Sequence, residues 1–193
     1  GIATLTRHYV DAVAGTGARI YDTRKTMPGW RRVEKYAVRM GGGSNHRLGL
    51  FDGILIKDNH LAQGLEQLGL ARTTPAEAVR KAKAFTAERA TAEPTLRDFW
   101  ESMLVEIEVD TLEQLDQVLP EGPDVVLLDN MPPAVLREAV RKRNAVAPHV
   151  ELEASGGINL QTVRAVAVTG VERISSGALT HSALWWDVGL DWL

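Results

Sequence analysis

The sequence predicts an α/β protein built on a parallel sheet, and three observations carry that prediction. From Leu104 onward, short β-branched runs alternate with helical stretches, the rhythm of strand–helix units joined by right-handed crossovers. Two earlier apolar runs end abruptly in charge, as ARIYDTRK and GILIKDNH. Two glycine turns, Ser155-Gly156-Gly157 and Ser175-Ser176-Gly177, follow the last two runs. Six strands are countable, and periodicity alone does not choose between a barrel and an open doubly wound sheet.

Taken in order, residues 2–14 space Ile2, Leu5, Tyr9, Val10 and Val13 as one face of an amphipathic helix, ended by Gly15 and Gly17 and expected to pack beneath a barrel. Residues 18–21 read as a strand, Pro28-Gly29 as a turn, and residues 30–40 as a helix stopped by Gly41. Residues 54–56 form a second strand. The stretch 61–103 is the least regular: a helix from Pro75 to about Arg89, with Thr74 as its cap, then a Pro94 connector. We read 70–103 as an insertion in one strand–helix unit, without assignable chemistry. The remaining units are strand 104–109 and helix 111–119, strand 124–129 and helix 132–147, strand 150–154 and helix 160–168, then strand 172–176 and helix 178–184. Trp185, Trp186 and Trp192 read as core or subunit-interface anchors, and His8 and His149 as surface or packing residues.

The 193 residues, 45% of them hydrophobic, suit one domain with a buried core. A net charge of -3 argues against nucleic acid as the main partner, so any basic site is local. With no cysteine, disulfides, thiolate catalysis and Cys-based zinc sites are excluded. No apolar run approaches the roughly 20 residues of a membrane span, and a cytoplasmic protein is the expectation. The chain begins at Gly1 in what reads as a helical element, so an N-terminal truncation is expected.

Five cationic or potentially cationic side chains, Arg24, Lys25, His46, Arg47 and Lys57, fall where strands stop and loops begin. Singly, each is most economically a solvated loop charge. As a set they belong to one rim of a parallel sheet, and a cationic rim needs an anionic ligand. Glu106 and Glu108, two apart on one strand, share a face, and carboxylates turned into a barrel require cations to meet them. Asp129 closes the next strand at the same rim. The glycine turns are places where backbone N–H groups can approach an anion. His181 is open to two readings, phosphate binding or packing.

These residues carry a resemblance. DTRKT, GGGxNHR, LGLxDxxLIKDNH, VEIEVDT, LLDN, EASGGI and SxGALTHS resemble, in order and over nearly the whole chain, quinolinate phosphoribosyltransferases, the carboxylating nicotinate-nucleotide pyrophosphorylases of NAD biosynthesis. The resemblance implies an incomplete, six- to seven-stranded parallel α/β barrel, TIM-barrel-like, occupying 1–193, with the family's N-terminal domain absent. It implies that Arg24, His46, Arg47 and Lys57 hold the two carboxylates of quinolinate, with Lys25 between quinolinate and phosphoribosyl pyrophosphate. Glu108 and Asp129 match positions that engage the ribose hydroxyls and the Mg2+ of that substrate. Ser155, Gly156, Gly157 and Gly177 match phosphate-facing loops, Ser176 is counted with them as substrate-binding, and the match tips His181 toward the site. Lys25, Lys57, Glu108 and Asp129 are the implied catalytic residues, Mg2+ the cofactor without any organic one, and a homodimer or higher homo-oligomer the implied assembly. An arginine from the neighbouring subunit's N-terminal domain completes the family's pocket, so this stretch alone is expected to be inactive or feeble. Met27, Trp30 and Ser176 depart from the usual pattern without removing a charged ligand. Two other readings stay open: a barrel aldolase forming a Schiff base at Lys57, and a non-catalytic or differently specific paralogue of the molybdenum-transport-associated type.

Overall fold

The computed structural model describes residues 1–61, 73–185 and 187–192. Its centre is a six-stranded, all-parallel sheet of β1 (Arg19–Tyr21), β2 (Ile54–Ile56), β3 (Val105–Val109), β4 (Val125–Asp129), β5 (Glu151–Ser155) and β6 (Arg173–Ser175), in the order β1-β6-β5-β4-β3-β2. Around it lie α1 (Ile2–Ala12), α2 (Arg31–Met40), α3 (Pro75–Ala92), α4 (Arg97–Glu101), α5 (Leu112–Val118), α6 (Pro133–Val146), α7 (Val163–Ala167) and α8 (Ala178–His181). Alternation along the strands divides the sheet into two faces. Ile20, Ile56, Ile107, Val109, Val126, Leu128, Leu152, Ala154 and Ile174 face the helices and are buried in the apolar core. The opposite residues, among them Tyr21, Glu106, Glu108, Leu127, Glu153 and Arg173, form a mostly polar inner face.

That inner face curls into a barrel. His46 lies just beyond Ser44 on the β1 side, yet its ring reaches Glu106 on β3 and Glu153 on β5, which are separated by β4. Ser44 bridges Tyr21 in parallel, donating to Ile20 O (2.7 Å) and accepting from Asp22 N (3.1 Å), so one residue stands where a seventh strand would lie. Between Ser44 and β2 the described residues make no ladder. Arg47 Nη1 donating to Gly53 O (3.1 Å) spans the seam. Among the described residues the barrel is incomplete, with six strands.

Four expectations are corrected. α1 does not lie beneath the barrel: it runs along the outside of β1 against α2, α7 and α8, and Arg164 Nη1 donates to Ala14 O (2.7 Å) at its exit. α7 is shorter than expected because Asn159 Oδ1 accepts from Gln161 N (2.9 Å) and Thr162 N (3.1 Å), holding those residues in a side-chain turn. α8 stops at His181, and the tail beyond it is exposed: Trp185 is 82% and Trp192 95% accessible, so neither is a core anchor, and Trp186 lies outside the described residues. His8 and His149 are on the surface. The stretch read as an insertion supplies the β2–β3 crossover, α3 packing on β2, β3 and α5 after a Thr74–Glu77 capping box; residues 62–72 lie outside the described residues. No described helix is long and apolar enough to cross a membrane.

Candidate active site

The C-terminal ends of the strands open into a cavity of about 580 Å³. Every strand contributes. Thr23, Arg24 and Lys25 follow β1, Leu55 and Lys57 come from and after β2, Glu108 from β3, Leu127 and Asp129 from β4, Glu153 and Ser155 from β5, and Ser175 from β6. His46 and Arg47 enter across the seam. A smaller cavity of about 260 Å³ adjoins it, sharing Thr23, Lys25, Ser155, Gly156, Gly157 and Ser175, and adds Ser176, Gly177 and His181. The predicted site residues therefore converge on one mouth. Ser176 is buried and spends its hydroxyl on Ile158 O (3.0 Å), so its contribution to that mouth is its backbone.

The glycine turns are required by geometry. Gly156 has φ of +92°, and a Cβ there would come 2.1 Å from Asn130 Oδ1. Asn130, itself left-handed at φ 53°, donates from Nδ2 to Asp129 Oδ2 (2.7 Å).

The charges are arranged in two tiers. At the mouth, Lys57 Nζ pairs with Glu108 Oε2, and the Nε atoms of Arg24 and Arg47 are buried with no hydrogen-bond partner among the described residues. Burial lowers the Arg47 guanidinium from its ordinary value; Glu106 works against this and neighbouring Arg24 adds to it. Two cations held this close need an anion between them. Below the mouth, His46 Nε2 sits 3.1 Å from Glu106 Oε2 and 3.4 Å from Glu153 Oε1, and Glu153 Oε2 accepts from Arg173 Nε (2.7 Å). Arg173 lies over the Tyr21 ring at 4.1 Å.

Burial opposes charge on His46, but the two carboxylates outweigh it and raise the imidazole to about 9. Arg47 N–H points at His46 Nδ1 (2.8 Å), which favours Nε2 as the protonated nitrogen. One such contact is worth about 1 kcal/mol net, less than the pull of two carboxylates on the other edge. Burial and the adjacent Glu153 raise Glu106, whereas Glu153, despite its own burial, is lowered by His46 and Arg173.

The donors of His46, Glu106 and Glu153 all lie within 4.8 Å of one another. The contact from Arg173 makes this an ion-pair network better suited to His46 than to a metal, since Mg2+ favours oxygen ligands and keeps several waters. Glu108 and Asp129, open to the main cavity, are the acids better fitted to a hydrated Mg2+.

Residues 2–191 match the family described as "Quinolinate phosphoribosyl transferase, C-terminal domain". The chain belongs to that family. It is 48% identical over 191 residues to the nicotinate-nucleotide pyrophosphorylase [carboxylating] of Mycobacterium leprae, covering 99% of this chain and 60% of that protein. It is 41% identical over 191 residues to the probable enzyme of the same name from Bacillus subtilis, covering 99% and 58%. Among solved structures, the nicotinate-nucleotide pyrophosphorylase from Francisella tularensis superposes with a TM-score of 0.76 at 39% identity, over 93% of this chain and 55% of that one. The chain thus spans somewhat more than half the length of these relatives.

Three inner residues of this quinolinate phosphoribosyltransferase domain were missed from sequence as site components, Glu153, Arg173 and Asn130, whereas Glu106 was read as facing into the barrel and meets its cation in His46. The signal was present for Glu153 and Arg173 too, because a charged residue at alternate positions inside an otherwise buried strand has to point into the barrel and be paired there. Asn130 needed the fold, since only the approach of β5's glycine turn shows what it abuts.

Proposed function

We propose that the protein containing this barrel transfers phosphoribosyl from phosphoribosyl pyrophosphate to quinolinate with decarboxylation, giving nicotinate mononucleotide, CO2 and pyrophosphate. The observation that carries this reading is the single cavity in which Arg24, Lys25, His46, Arg47 and Lys57 face Glu108 and Asp129. A pyridine dicarboxylate matches the cations: Arg47 and Arg24 offer planar forks, while His46 and Lys57 offer compact charge. The two acids match the other substrate, accepting from ribose hydroxyls. Mg2+, bound with the pyrophosphate, would neutralise the leaving group, with Glu108 and Asp129 as its nearest protein acids. The adjoining glycine-walled cavity, with Lys25 and His181, suits the 5-phosphate.

In this arrangement the Arg and His contacts orient the ring so that its nitrogen faces the anomeric carbon. The nitrogen's electron pair forms the new C–N bond as the C–O bond to pyrophosphate breaks. Glu108 and Asp129 lie where positive charge develops on the sugar. The ring nitrogen is then cationic and stabilises the electron pair left on the adjacent carbon when its carboxylate departs as CO2, and that carbanion takes up a proton. Lys57 Nζ is engaged by the Glu108 carboxylate, which speaks against the Schiff-base reading. A homodimer, a cytoplasmic setting and small-molecule rather than nucleic-acid or membrane partners complete the proposal.

The test is quinolinate-dependent release of CO2 and pyrophosphate by the protein expressed from its natural start, with nicotinate as comparison. Lys57→Ala is expected to abolish turnover. A folded protein that binds phosphoribosyl pyrophosphate without turnover would overturn the assignment in favour of a paralogue.

A further inference from the structure

The cation-bearing segments 22–26 and 44–48 are separate loops, and Arg24 and Arg47, one from each, repel one another. What holds them together is one face of α2. Arg31 and Lys35, one turn apart, both point at the loops rather than at solvent. Arg31 Nε donates to Thr26 Oγ1 (3.0 Å), its Nη2 to Arg24 O (3.3 Å) and its Nη1 to Leu48 O (3.2 Å), so one guanidinium ties both loops. Lys35, 3% accessible, donates to Asp22 Oδ1 (2.5 Å) and to His46 O (3.3 Å). Asp22, fully buried, accepts on Oδ1 from His46 N (2.7 Å) and on Oδ2 from Asn45 Nδ2 (2.7 Å), and Asn45 Nδ2 also donates to Lys35 O (2.9 Å). The His46 peptide is thereby pinned at both its N–H and its C=O.

We propose that Asp22, Lys35 and Arg31 are positioning residues that brace the two loops, presetting Arg24, His46 and Arg47 at the spacing of a planar dianion before it arrives. None of the three braces lines the main cavity, so they act through the residues they hold. The brace answers a specific physical problem. Like charges brought together without a ligand drive their loops apart, and the cost of closing them would otherwise fall on ligand binding. Cationic donors capping backbone carbonyls hold the loops without placing an anion in the pocket to compete with substrate.

This inference rests on the quinolinate reading, and wild-type turnover is the control that separates the two: no quinolinate-dependent turnover sinks the reading, whereas the brace is judged only against an active wild type. Asp22→Asn combined with Lys35→Met removes both buried charges together, sparing the fold an unpaired one. The expected result is a rise in KM for quinolinate on the order of 10- to 100-fold, as for a misplacement of about 1 Å, with KM for phosphoribosyl pyrophosphate changed less than twofold. Arg31→Gln, at the partly exposed edge of α2, carries the same comparison if the double variant fails to fold, with a smaller shift of the same kind. Equal changes in both KM values, or a fall in kcat with KM for quinolinate unchanged, overturn the proposal and leave α2 a merely structural support.

Discussion

His46 is the residue whose charge state the site most depends on. Its ring faces Glu106 and Glu153, and its value is raised from 6.5 to about 9. The folded-state value lies above the unfolded one, so these ion pairs contribute their full stability below about 6.5 and lose it as pH rises through about 9. Binding of a dianion follows the same proton. KM for quinolinate, measured from pH 6 to pH 10, is expected to stay flat and then rise through about 9, and Glu106→Gln should move that rise to lower pH. A profile unchanged by the substitution would contradict this role for Glu106. Gly156 shows the opposite kind of constraint, one of space. Gly156→Ala sets a Cβ against Asn130 at a left-handed φ, and thermal or denaturant unfolding should show a loss of about 1–3 kcal/mol.

At the scale of elements, the strands divide labour by parity. In β4, Val126 and Leu128 anchor the sheet to the helices while Asp129, one residue further, reaches the cavity. Leu128→Ala should therefore cost about 2–5 kcal/mol in equilibrium unfolding with little change in KM among molecules that remain folded; a selective loss of substrate affinity would contradict the division. This parity is why most of the architecture was legible in the sequence. Runs such as VEIEV and VVLLD show both the buried face and the charged one, and their ends, with the glycine turns after β5 and β6, mark the mouth. What the sequence hid was tertiary. The burial of Lys35 cannot be read from α2, whose pattern looks like a charged surface helix, because its partner Asp22 comes from another element. Nor do Trp185 and Trp192 announce their exposure, since bulk and apolarity read as core in any linear view.

For the whole molecule, the decisive feature is that the barrel does not close. Among the described residues, β3, β4, β5 and β6 each have a ladder on both sides, whereas β2 pairs only with β3, and the Ser44 segment only with β1. The seam between them is spanned by side chains: Arg47 Nη1 to Gly53 O, and the Asp52 carboxylate accepting from Leu48 N (2.6 Å) and Gly49 N (3.0 Å). Those N–H contacts outweigh the effect of burial and hold the Asp52 carboxyl below its ordinary range. A closed barrel has no such weak line, so the free energy of local opening should be lowest at 45–54 and highest in β3–β6. Hydrogen exchange should show amides of Leu48, Gly49 and Ile54 exchanging well before those of Ile107, Leu128 and Leu152. In the binding mode proposed above quinolinate bridges Arg47 at the seam to Lys57 after β2, and it should then slow the first group and leave the second unchanged. Uniform protection across the sheet, or a ligand effect spread over β3–β6, would show that the seam is not where this barrel opens.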